Sequence, residues 1–248
     1  MSNVLIVTGG SRGIGAATAL LGAKRGYKVA VNYNSNPQRA DEVVKQITSG
    51  GGSAIAVKAD VSIEADVVRL FETVDKDLGK VTALFNNAGI VLPVKPVTEY
   101  TGEELDRLWR VNITSQFLCA REAIRRMSTE TGGKGGVIVN MSSAAAYIGG
   151  VGGQEPYAAS KGAIDVFTHG LSVDLGPTGI RVNAVRPGLI ATEIHDDMGI
   201  KDRVKTLAPV VPMRRSGTAD EVAEAVLWLM SEQASYVNGA LLNIGGGR

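Results

Sequence analysis

A phenol and an ammonium group lie four residues apart in the segment Tyr157-Ala158-Ala159-Ser160-Lys161. If this segment is helical, positions i and i+4 share one face, and both groups can reach the same small molecule. A phenol has an ordinary pKa near ~10, which makes it a poor proton donor or acceptor at neutral pH. A lysine charge ~4 Å away, at an effective dielectric of ~20, would favour the phenolate by roughly 4 kcal/mol, or about 3 pKa units before desolvation. The pair indicates general acid–base chemistry, although the same spacing also arises by chance in helices.

A glycine-rich turn near the start of the chain could bind an anion. It reads Thr8-Gly9-Gly10-Ser11-Arg12-Gly13-Ile14-Gly15 and lies between an apolar run at 4–7 and a helix-forming stretch at 16–24. Glycines let main-chain N–H groups approach a pyrophosphate, and a helix N-terminus favours negative charge. The Gly-x-x-x-Gly-x-Gly spacing differs from the commonest dinucleotide fingerprint, and many of the 31 glycines simply close turns. The strand-to-helix context nevertheless favours nucleotide binding.

Strand-like and helix-like segments alternate along the rest of the chain. Further strands are predicted at 28–32, 54–58, 83–86, 137–141, 181–186 and 240–244, and further helices at 37–49, 63–78, 101–127, 157–175 and 218–231. The last helix begins with Thr218 and Glu221 at the spacing of a capping box. This alternation predicts an α/β fold, a doubly wound parallel sheet of about seven strands with helices on both faces. No linker or repeat divides residues 1–248, so we expect one domain.

Composition restricts the function classes. The net charge of +1 and the absence of a basic run argue against binding to nucleic acid or an anionic membrane. No apolar span of 18 residues appears, and the first strand begins by residue 4, which leaves no room for a signal peptide. A single cysteine, Cys119, excludes an intrachain disulfide and suits a reducing compartment; its expected role is packing. We expect a cytoplasmic protein that is not bound to membranes.

The order of these motifs resembles the short-chain dehydrogenase/reductase superfamily along nearly the whole chain. The resemblance also rests on Asp60-Val61, Asn86-Asn87-Ala88-Gly89, Asn112, Ser142-Ser143 and the run from Pro187 to Thr192, each near the end of a predicted strand or on a following helix. Within the superfamily, the chain is similar to 3-oxoacyl-carrier-protein reductase-like and sugar (glucose 1-) dehydrogenase-like members. The resemblance implies a single-domain Rossmann fold. It also implies an NADP(H)-dependent oxidoreductase that interconverts a carbonyl and a secondary alcohol by hydride transfer.

The resemblance implies four catalytic residues. Tyr157 would be the general acid or base, and Lys161 would lower its pKa and hold the nicotinamide ribose. Ser143 would hydrogen-bond the substrate oxygen, where charge develops. Asn112 would hold a water that links Lys161 to solvent, with a locally bonded helix amide as the alternative. Ser142 competes for the serine role, because the loop from Ser143 to Tyr157 holds one residue more than the commoner family spacing.

The resemblance also implies a set of cofactor-binding residues. Asp60 would receive the adenine amine, and Thr192 would meet the nicotinamide amide. The full set is Gly9, Ser11, Arg12, Gly13, Ile14, Gly15, Asn32, Tyr33, Asp60, Val61, Asn87, Ala88, Gly89, Tyr157, Lys161, Pro187, Gly188, Ile190 and Thr192.

The end of the second strand favours NADP over NAD. NAD-preferring enzymes usually place an acid there, which repels a 2′-phosphate. This chain has Asn32 and Tyr33 at that point, and the next acid is Asp41, inside the following helix. Arg12 resembles the basic residue with which family members meet the phosphate, and a solvated loop residue is the alternative.

Two segments are expected to shape the substrate pocket. The 144–156 loop contains Gly149, Gly150, Gly152 and Gly153 and is expected to move. Glu155 would place an acid at the mouth of the site or lie in solvent. Residues 193–211 would form a substrate lid.

No metal site is predicted. Carbonyl polarisation by neutral and cationic donors needs no metal, and we find no cluster with the spacing of metal ligands. His169 and His195 are isolated in the sequence, so surface or packing roles are expected for both.

Two other function classes stay open. A non-catalytic NADP-binding sensor or scaffold would normally lack Tyr157, Lys161 or Ser143, and all three are present. An isomerase or epimerase of the extended branch of the superfamily would need a C-terminal substrate domain that is absent here.

The expected partners are a small carbonyl or alcohol substrate and further copies of the chain. The resemblance implies a homotetramer in which the helices carrying Asn112 and Tyr157 pack against their two-fold mates. Two apolar sets support this: Ile113, Phe117, Ala120 and Ile124 in one helix, and Ala163, Val166, Phe167 and Leu171 in the other. The alternative is that both sets are buried within the monomer.

Overall fold

The computed structural model describes residues 3–150, 152–194 and 202–248. Seven parallel strands form one sheet in the order β3-β2-β1-β4-β5-β6-β7. Their bounds are β1 Val4–Val7, β2 Lys28–Tyr33, β3 Ser53–Lys58, β4 Ala83–Asn86, β5 Gly136–Met141, β6 Ile180–Pro187 and β7 Leu241–Ile244. The order reverses at β1, which pairs with β2 on one side and β4 on the other. Ligands of open α/β sheets bind at such a reversal, outside the carboxyl ends of the strands.

Helices cover both faces of the sheet. The longer ones are α1 Gly13–Lys24, α2 Pro37–Ser49, α3 Glu64–Asp77, α4 Gly102–Trp109, α5 Ser115–Met127, α7 Glu155–Leu175 and α9 Ala219–Leu229; α6 Ala145–Ile148 and α8 Arg203–Leu207 are short. The predicted sheet, its parallel pairing and the single α/β unit are thereby confirmed as a Rossmann-like fold.

Alternation along β1 divides the core between the two faces of the sheet. Val4 and Ile6 pack with α3 and α5, whereas Leu5 and Val7 pack with α1 and α9. All four side chains are buried. A strand buried on both faces reads as a continuous apolar run, which explains the signal at 4–7.

The predicted helix over 101–127 is interrupted. Arg110–Thr114 form a π-helical turn between α4 and α5. Such turns are rare and frequently occur at functional sites. Asn112 lies within this turn, so the interruption falls where the resemblance places a catalytic residue.

The capping box predicted at Thr218 is confirmed. The Thr218 side chain accepts a hydrogen bond from Glu221 N, and the Glu221 side chain accepts one from Thr218 N at 2.8 Å. These contacts satisfy main-chain donors that the first helical turn leaves unpaired. They fix the start of α9.

The 144–156 loop contains a short helix. It begins with α6, which ends at Gly149 with φ +79°, and Gly150 follows with φ +82°. In the expected lid, residues 195–201, including His195, lie outside the described residues. Beyond them, α8 and a 3₁₀ turn at Ala208–Val210 precede α9. Within 3–150, 152–194 and 202–248, no helix is both long and apolar enough to cross a membrane.

Candidate active site

A cavity of about 810 Å³ opens at the carboxyl ends of the strands, around the reversal at β1. Nearly all the sequence-predicted site residues line it. Those present are Gly9, Ser11, Arg12, Gly13, Ile14, Asn32, Tyr33, Asp60, Val61, Asn87, Ala88, Gly89, Ser143, Tyr157, Lys161, Pro187, Gly188, Ile190 and Thr192. Gly15 and Asn112 are not among the lining residues. The cavity volume falls in the range of small-molecule and cofactor sites.

The glycine turn is shaped by close main-chain packing. Gly9 and Gly13 have φ of +60° and +53°, which L side chains rarely adopt. A Cβ on Gly15 would lie 2.4 Å from the Gly9 oxygen and 2.7 Å from Asn87 Nδ2. The amide of Asn87 donates to Thr8 O at 2.8 Å and to Gly9 O at 3.1 Å. Gly15 is therefore needed for the turn itself, and the turn presents main-chain N–H groups at the start of α1.

Asn32 supports this turn from the end of β2. Its Nδ2 donates to Ala59 O at 3.0 Å and Val57 O at 3.3 Å, and its Oδ1 accepts from Gly9 N at 3.1 Å. The side chain is 1% exposed. Asn32 therefore holds β2, β3 and the glycine turn together, and its amide is occupied by protein partners.

Asp60 occupies the far wall, at the end of β3. Its Oδ1 accepts from Ser62 N at 2.9 Å and Ser62 Oγ at 2.6 Å, and its Oδ2 accepts from Asn34 Nδ2 at 3.2 Å. These contacts fix the carboxylate at the cavity edge. Its assignment to an adenine amine stays a prediction.

Two arginines meet one carboxylate at this end of the cavity. Arg12 Nη1 lies 3.6 Å from Glu193 Oε2, and Arg39 Nη1 pairs with the same oxygen. The hydrogen bond from Arg39 is the main cause that lowers the pKa of Glu193. Sequence reasoning missed Arg39. Asn36 caps α2 and accepts from Arg39 N at 3.1 Å, so a basic residue in the first turn after β2 is the signal that could have found it.

Tyr157 and Lys161 share one face of α7, as the spacing predicts. Lys161 Nζ lies 5.6 Å from the centre of the Tyr157 ring and donates to Met141 O at 2.9 Å. Lys161 is 2% exposed. Burial lowers its pKa from 10.5 to about 8, opposed by the charge of Asp165 one turn along the helix.

The pKa of Tyr157 is shifted opposite to the direction that the sequence suggests. Burial raises it above 10, while the hydrogen bond with Ser143 and the charge of Arg203 act to lower it. The physical reason is the burial of the phenol, while the Lys161 ammonium donates to Met141 O. The phenol is therefore held in its protonated form, ready to donate.

The two adjacent serines have different partners. Ser143 lines the cavity and hydrogen-bonds the phenol of Tyr157. Ser142 is buried and its Oγ donates to the main-chain oxygen of Lys161 at 3.2 Å. This geometry favours Ser143 as the residue that would hydrogen-bond the substrate oxygen. Ser142 instead holds α7 against the end of β5 through its bond to Lys161 O.

The side chain of Asn112 is hydrogen-bonded to two distant segments of the chain, not within its own helix. Its Oδ1 accepts from Ile90 N at 2.8 Å, and its Nδ2 donates to Ile90 O at 2.9 Å and Ser160 Oγ at 3.1 Å. It is fully buried. A Cβ on Gly89 would lie 3.3 Å from Asn112 Oδ1 and 3.6 Å from Lys161 Nζ. Asn112 therefore positions the Gly89–Ile90 segment against the catalytic helix.

A third arginine lies in the wall near Tyr157. Arg203, the first residue of α8, donates from Nη2 to Gln154 Oε1 at 3.2 Å, and Arg248 lines the same cavity. Sequence reasoning missed both arginines, because each reaches the site only through the folding of the C-terminal third of the chain. Glu155, expected either at the mouth of the site or in solvent, is exposed; its carboxylate accepts from Gly153 N at 3.2 Å.

The remaining titratable residues do not add a second site. No group of three or more histidine, cysteine or acidic side chains could hold a metal in the parts of the chain that the structure describes. Cys119 is buried, and burial raises its pKa to about 12. It packs in the core, as expected.

The cavity fits a dinucleotide. Side chains are missing where main chain must approach a ligand closely, at Gly9, Gly13 and Gly89. The N-terminus of α1 faces the cavity and suits a pyrophosphate. Arg12 and Arg39 offer cationic groups at the β2 end, and Tyr157 and Lys161 stand at the opposite end.

Known proteins are similar to this chain in sequence and fold along nearly their whole length. A sequence model of the family described as enoyl-(acyl carrier protein) reductase matches residues 9–248. The chain is 49% identical to the uncharacterized oxidoreductase YgfF of Escherichia coli K12, covering 99% of each chain.

Solved structures agree. The 3-ketoacyl-(acyl-carrier-protein) reductase from Brucella melitensis, complexed with NADH, is 33% identical with a TM-score of 0.92, covering 99% of this chain and 98% of that one. A blue fluorescent protein from a metagenomic library, in complex with NADPH, is 35% identical with a TM-score of 0.90, covering 99% and 97%. The chain therefore belongs to the short-chain dehydrogenase/reductase superfamily and is an oxidoreductase.

Proposed function

We propose that this protein is an NADP(H)-dependent oxidoreductase that interconverts a carbonyl and a secondary alcohol. The observation that carries the proposal is the convergence of Tyr157, Ser143 and Lys161 on the cavity that the glycine turn borders. When bound, the nicotinamide supplies the hydride, with its two electrons, to the carbonyl carbon or takes it from the alcohol carbon.

The side chains of this protein supply the proton and the polarisation. Tyr157 Oη donates its proton to the carbonyl oxygen, which becomes the hydroxyl; in the reverse direction it removes that proton. Ser143 hydrogen-bonds the same oxygen and stabilises its developing charge. The raised pKa of Tyr157 keeps the proton in place until the oxygen becomes basic. Lys161 binds the ribose. Asn112, through its hydrogen bonds to Ile90, positions the part of the cavity wall that faces Lys161. That Asn112 also holds a water in a proton relay stays a prediction.

NADP is the proposed cofactor in preference to NAD. Arg12 and Arg39 provide two guanidinium groups at the end of β2, where Asn32 and Tyr33 stand in place of an acid. Guanidinium groups bind phosphate through paired, charge-assisted hydrogen bonds. The dissociation constants of NADPH and NADH for the wild type, Arg12→Ala and Arg39→Ala test this. Each variant should reduce the NADPH preference about tenfold; an NAD preference in the wild type would refute the proposal.

The activity is tested by following NADPH oxidation with a panel of ketones, quinones and 3-oxoacyl thioesters. Turnover of any member that is lost in Tyr157→Phe supports the oxidoreductase. Tight NADPH binding with no turnover across the panel would instead support the sensor or scaffold. Among the described lining residues, the presence of Tyr157, Ser143 and Lys161 supports the oxidoreductase over this second function.

We also propose a homotetramer in a reducing, cytoplasmic compartment. Apolar side chains of α5 and α7 lie on the surface: Phe117 is 47% exposed and Val166 75%. Phe117 stacks on Phe167 with ring centres 3.7 Å apart, which extends an apolar face across both helices. Ala120 is buried within the monomer, so only part of the predicted stripe is free to meet another copy. Light scattering should give about four times 25.9 kDa; a stable, active monomer would refute this.

A further inference from the structure

The catalytic end of the cavity contains a guanidinium edge that the proposed reaction does not use. Arg203 lines the cavity together with Tyr157, and its Nε is shielded from solvent. Among the described residues, no acceptor lies within hydrogen-bonding distance of this nitrogen. Buried side-chain donors are nearly always paired, and leaving one unpaired is costly. Nε itself is covered by protein, so a ligand in the cavity would meet the part of the Arg203 guanidinium that lines the wall.

The surrounding charge makes this wall positive. Arg248 and Arg107 line the same cavity. The acidic side chains among the described lining residues are Asp60 and Glu193, and both belong to the β2 end of the cavity. Glu155, the nearest acid in sequence to Tyr157, is exposed and held by Gly153. Arg203 therefore lacks an acidic partner within the described protein.

The geometry of the donors selects the kind of anion. Nη2 of Arg203 is directed to Gln154 Oε1, at 3.2 Å, which orients the guanidinium plane while the group still lines the cavity. A guanidinium edge donates two parallel hydrogen bonds to a planar carboxylate.

We propose that Arg203 binds a carboxylate of the substrate, so that the protein acts on oxo acids or hydroxy acids. This inference rests on the proposed oxidoreductase function and names the substrate class of the same site. Tyr157 supplies the proton at the reacting oxygen, and Arg203 binds the far end of the same molecule. The charge of Arg203 also acts to lower the pKa of Tyr157, and a bound carboxylate would offset that effect.

Arg203 could instead serve only to hold the 144–156 loop through Gln154. The two roles predict different effects of the ligand's charge on how tightly the protein binds it. A residue that only holds the loop affects acids and their neutral analogues equally, whereas a carboxylate-binding residue affects the acids alone.

Direct binding separates the roles without turnover. Calorimetry on the NADP-loaded protein compares butanoate and hexanoate with butanamide and hexanamide. The wild type should bind each acid about 10- to 100-fold more tightly than its amide, the range of a hydrogen bond to a charged group. Arg203→Gln should abolish this discrimination, and Arg203→Lys should restore part of it. Lys205→Gln is the matched control, since Lys205 lies exposed on the same short helix and does not line the cavity.

A kinetic experiment compares the reduction of 4-oxopentanoate and of its methyl ester by NADPH. The kcat/KM of the acid should fall about 10- to 100-fold in Arg203→Gln while that of the ester stays within about twofold. Equal binding of acid and amide by the wild type, or an equal loss for both in Arg203→Gln, would overturn the proposal. Tyr157→Phe should lose turnover yet keep the preference for acids, so failure of the oxidoreductase and failure of carboxylate binding give different results.

Discussion

The two ends of the cavity use arginine in opposite environments. Arg39, at the β2 end, is exposed, and its hydrogen bond to Glu193 raises its pKa. Arg203, at the catalytic end, is partly buried, and desolvation is the main cause that lowers its pKa. The guanidinium of Arg39 is exposed and paired with a carboxylate, whereas that of Arg203 is partly buried and has no carboxylate partner among the described residues.

This difference separates two ways to build a binding site. At the β2 end the main chain of the glycine turn sets the geometry, and exposed ion pairs add little stability each. At the catalytic end burial raises the pKa of Tyr157 and lowers that of Lys161. We therefore expect substitutions at the catalytic end to change chemistry and pH dependence, and those at the β2 end to change cofactor affinity.

The largest expected effect tests the catalytic end alone. Tyr157→Phe removes the proton donor and should lower turnover about 10²- to 10⁴-fold, with the NADPH dissociation constant within about twofold of wild type. Single-turnover kinetics and NADPH fluorescence measure the two quantities. Tyr236→Phe is the control, since Tyr236 is fully exposed. Normal turnover in Tyr157→Phe would remove the assigned acid from the mechanism.

Lys161→Met should abolish turnover while stabilising the fold at neutral pH. The folded pKa of Lys161 is about 8, below the ordinary 10.5, so the unfolded chain binds more protons between these values. The free energy of unfolding of the wild type therefore rises with pH across this window. Replacing the buried charge should add at most about 3 kcal/mol at pH 7.

Urea unfolding at pH 7 and at pH 10 measures this gain. It should shrink as the pH rises through 8 towards 10.5. Lys45→Met, on the exposed face of α2, should show no such change. A gain that is independent of pH would contradict the assignment of a buried charge to Lys161.

Gly15→Ala tests whether packing rather than charge sets the glycine turn. The new Cβ would meet the Gly9 oxygen and the Asn87 amide, and the resulting strain should cost about 1–3 kcal/mol. We expect NADPH and NADH to lose affinity together. Gly102→Ala, in open space at the start of α4, is the matched control. Selective loss of NADPH alone would show that the turn acts through the 2′-phosphate.

Glu193→Gln should have the smallest effect, and it should increase NADPH affinity where the substitutions above reduce activity or affinity. The carboxylate pairs with both arginines proposed to bind the 2′-phosphate, so its neutralisation should improve NADPH affinity about two- to fivefold, the size of an exposed ion pair. NADH affinity should not change. The gain should fade as salt is raised, because exposed charges are screened. Titration of both cofactors at low and high ionic strength decides this, and a weaker NADPH complex would mean that Glu193 supports the site.

The sequence was sufficient for the sheet and for the residues that follow its strands. Apolar runs such as 4–7 and 137–141 are buried on both faces and cannot be confused with amphipathic helices. The Tyr157–Lys161 pair was found for a related reason, because helical spacing fixes which side chains share a face.

What the sequence could not give depends on contacts between distant segments. Arg203 reaches Gln154 across 49 positions, and Arg39 reaches Glu193 across 154. The direction of the Tyr157 pKa shift was also missed, because the phenol is buried and the Lys161 ammonium is bonded to Met141 O. The spacing of residues in the sequence predicts which side chains are neighbours within one helix or strand. It does not predict how deeply the fold buries them.

The π-helical turn at Arg110–Thr114 separates the placement of Asn112 from the packing of α5. The turn holds one residue more than a regular α-helical turn, so the extra residue is accommodated within it. Cys119, Ala123 and Met127 therefore keep the core face that a regular helix one residue shorter would give them. Deleting one residue from the turn would leave that face in place and remove the local widening around Asn112. The same deletion inside α5 would instead rotate the side chains on its two sides by about 100° relative to each other.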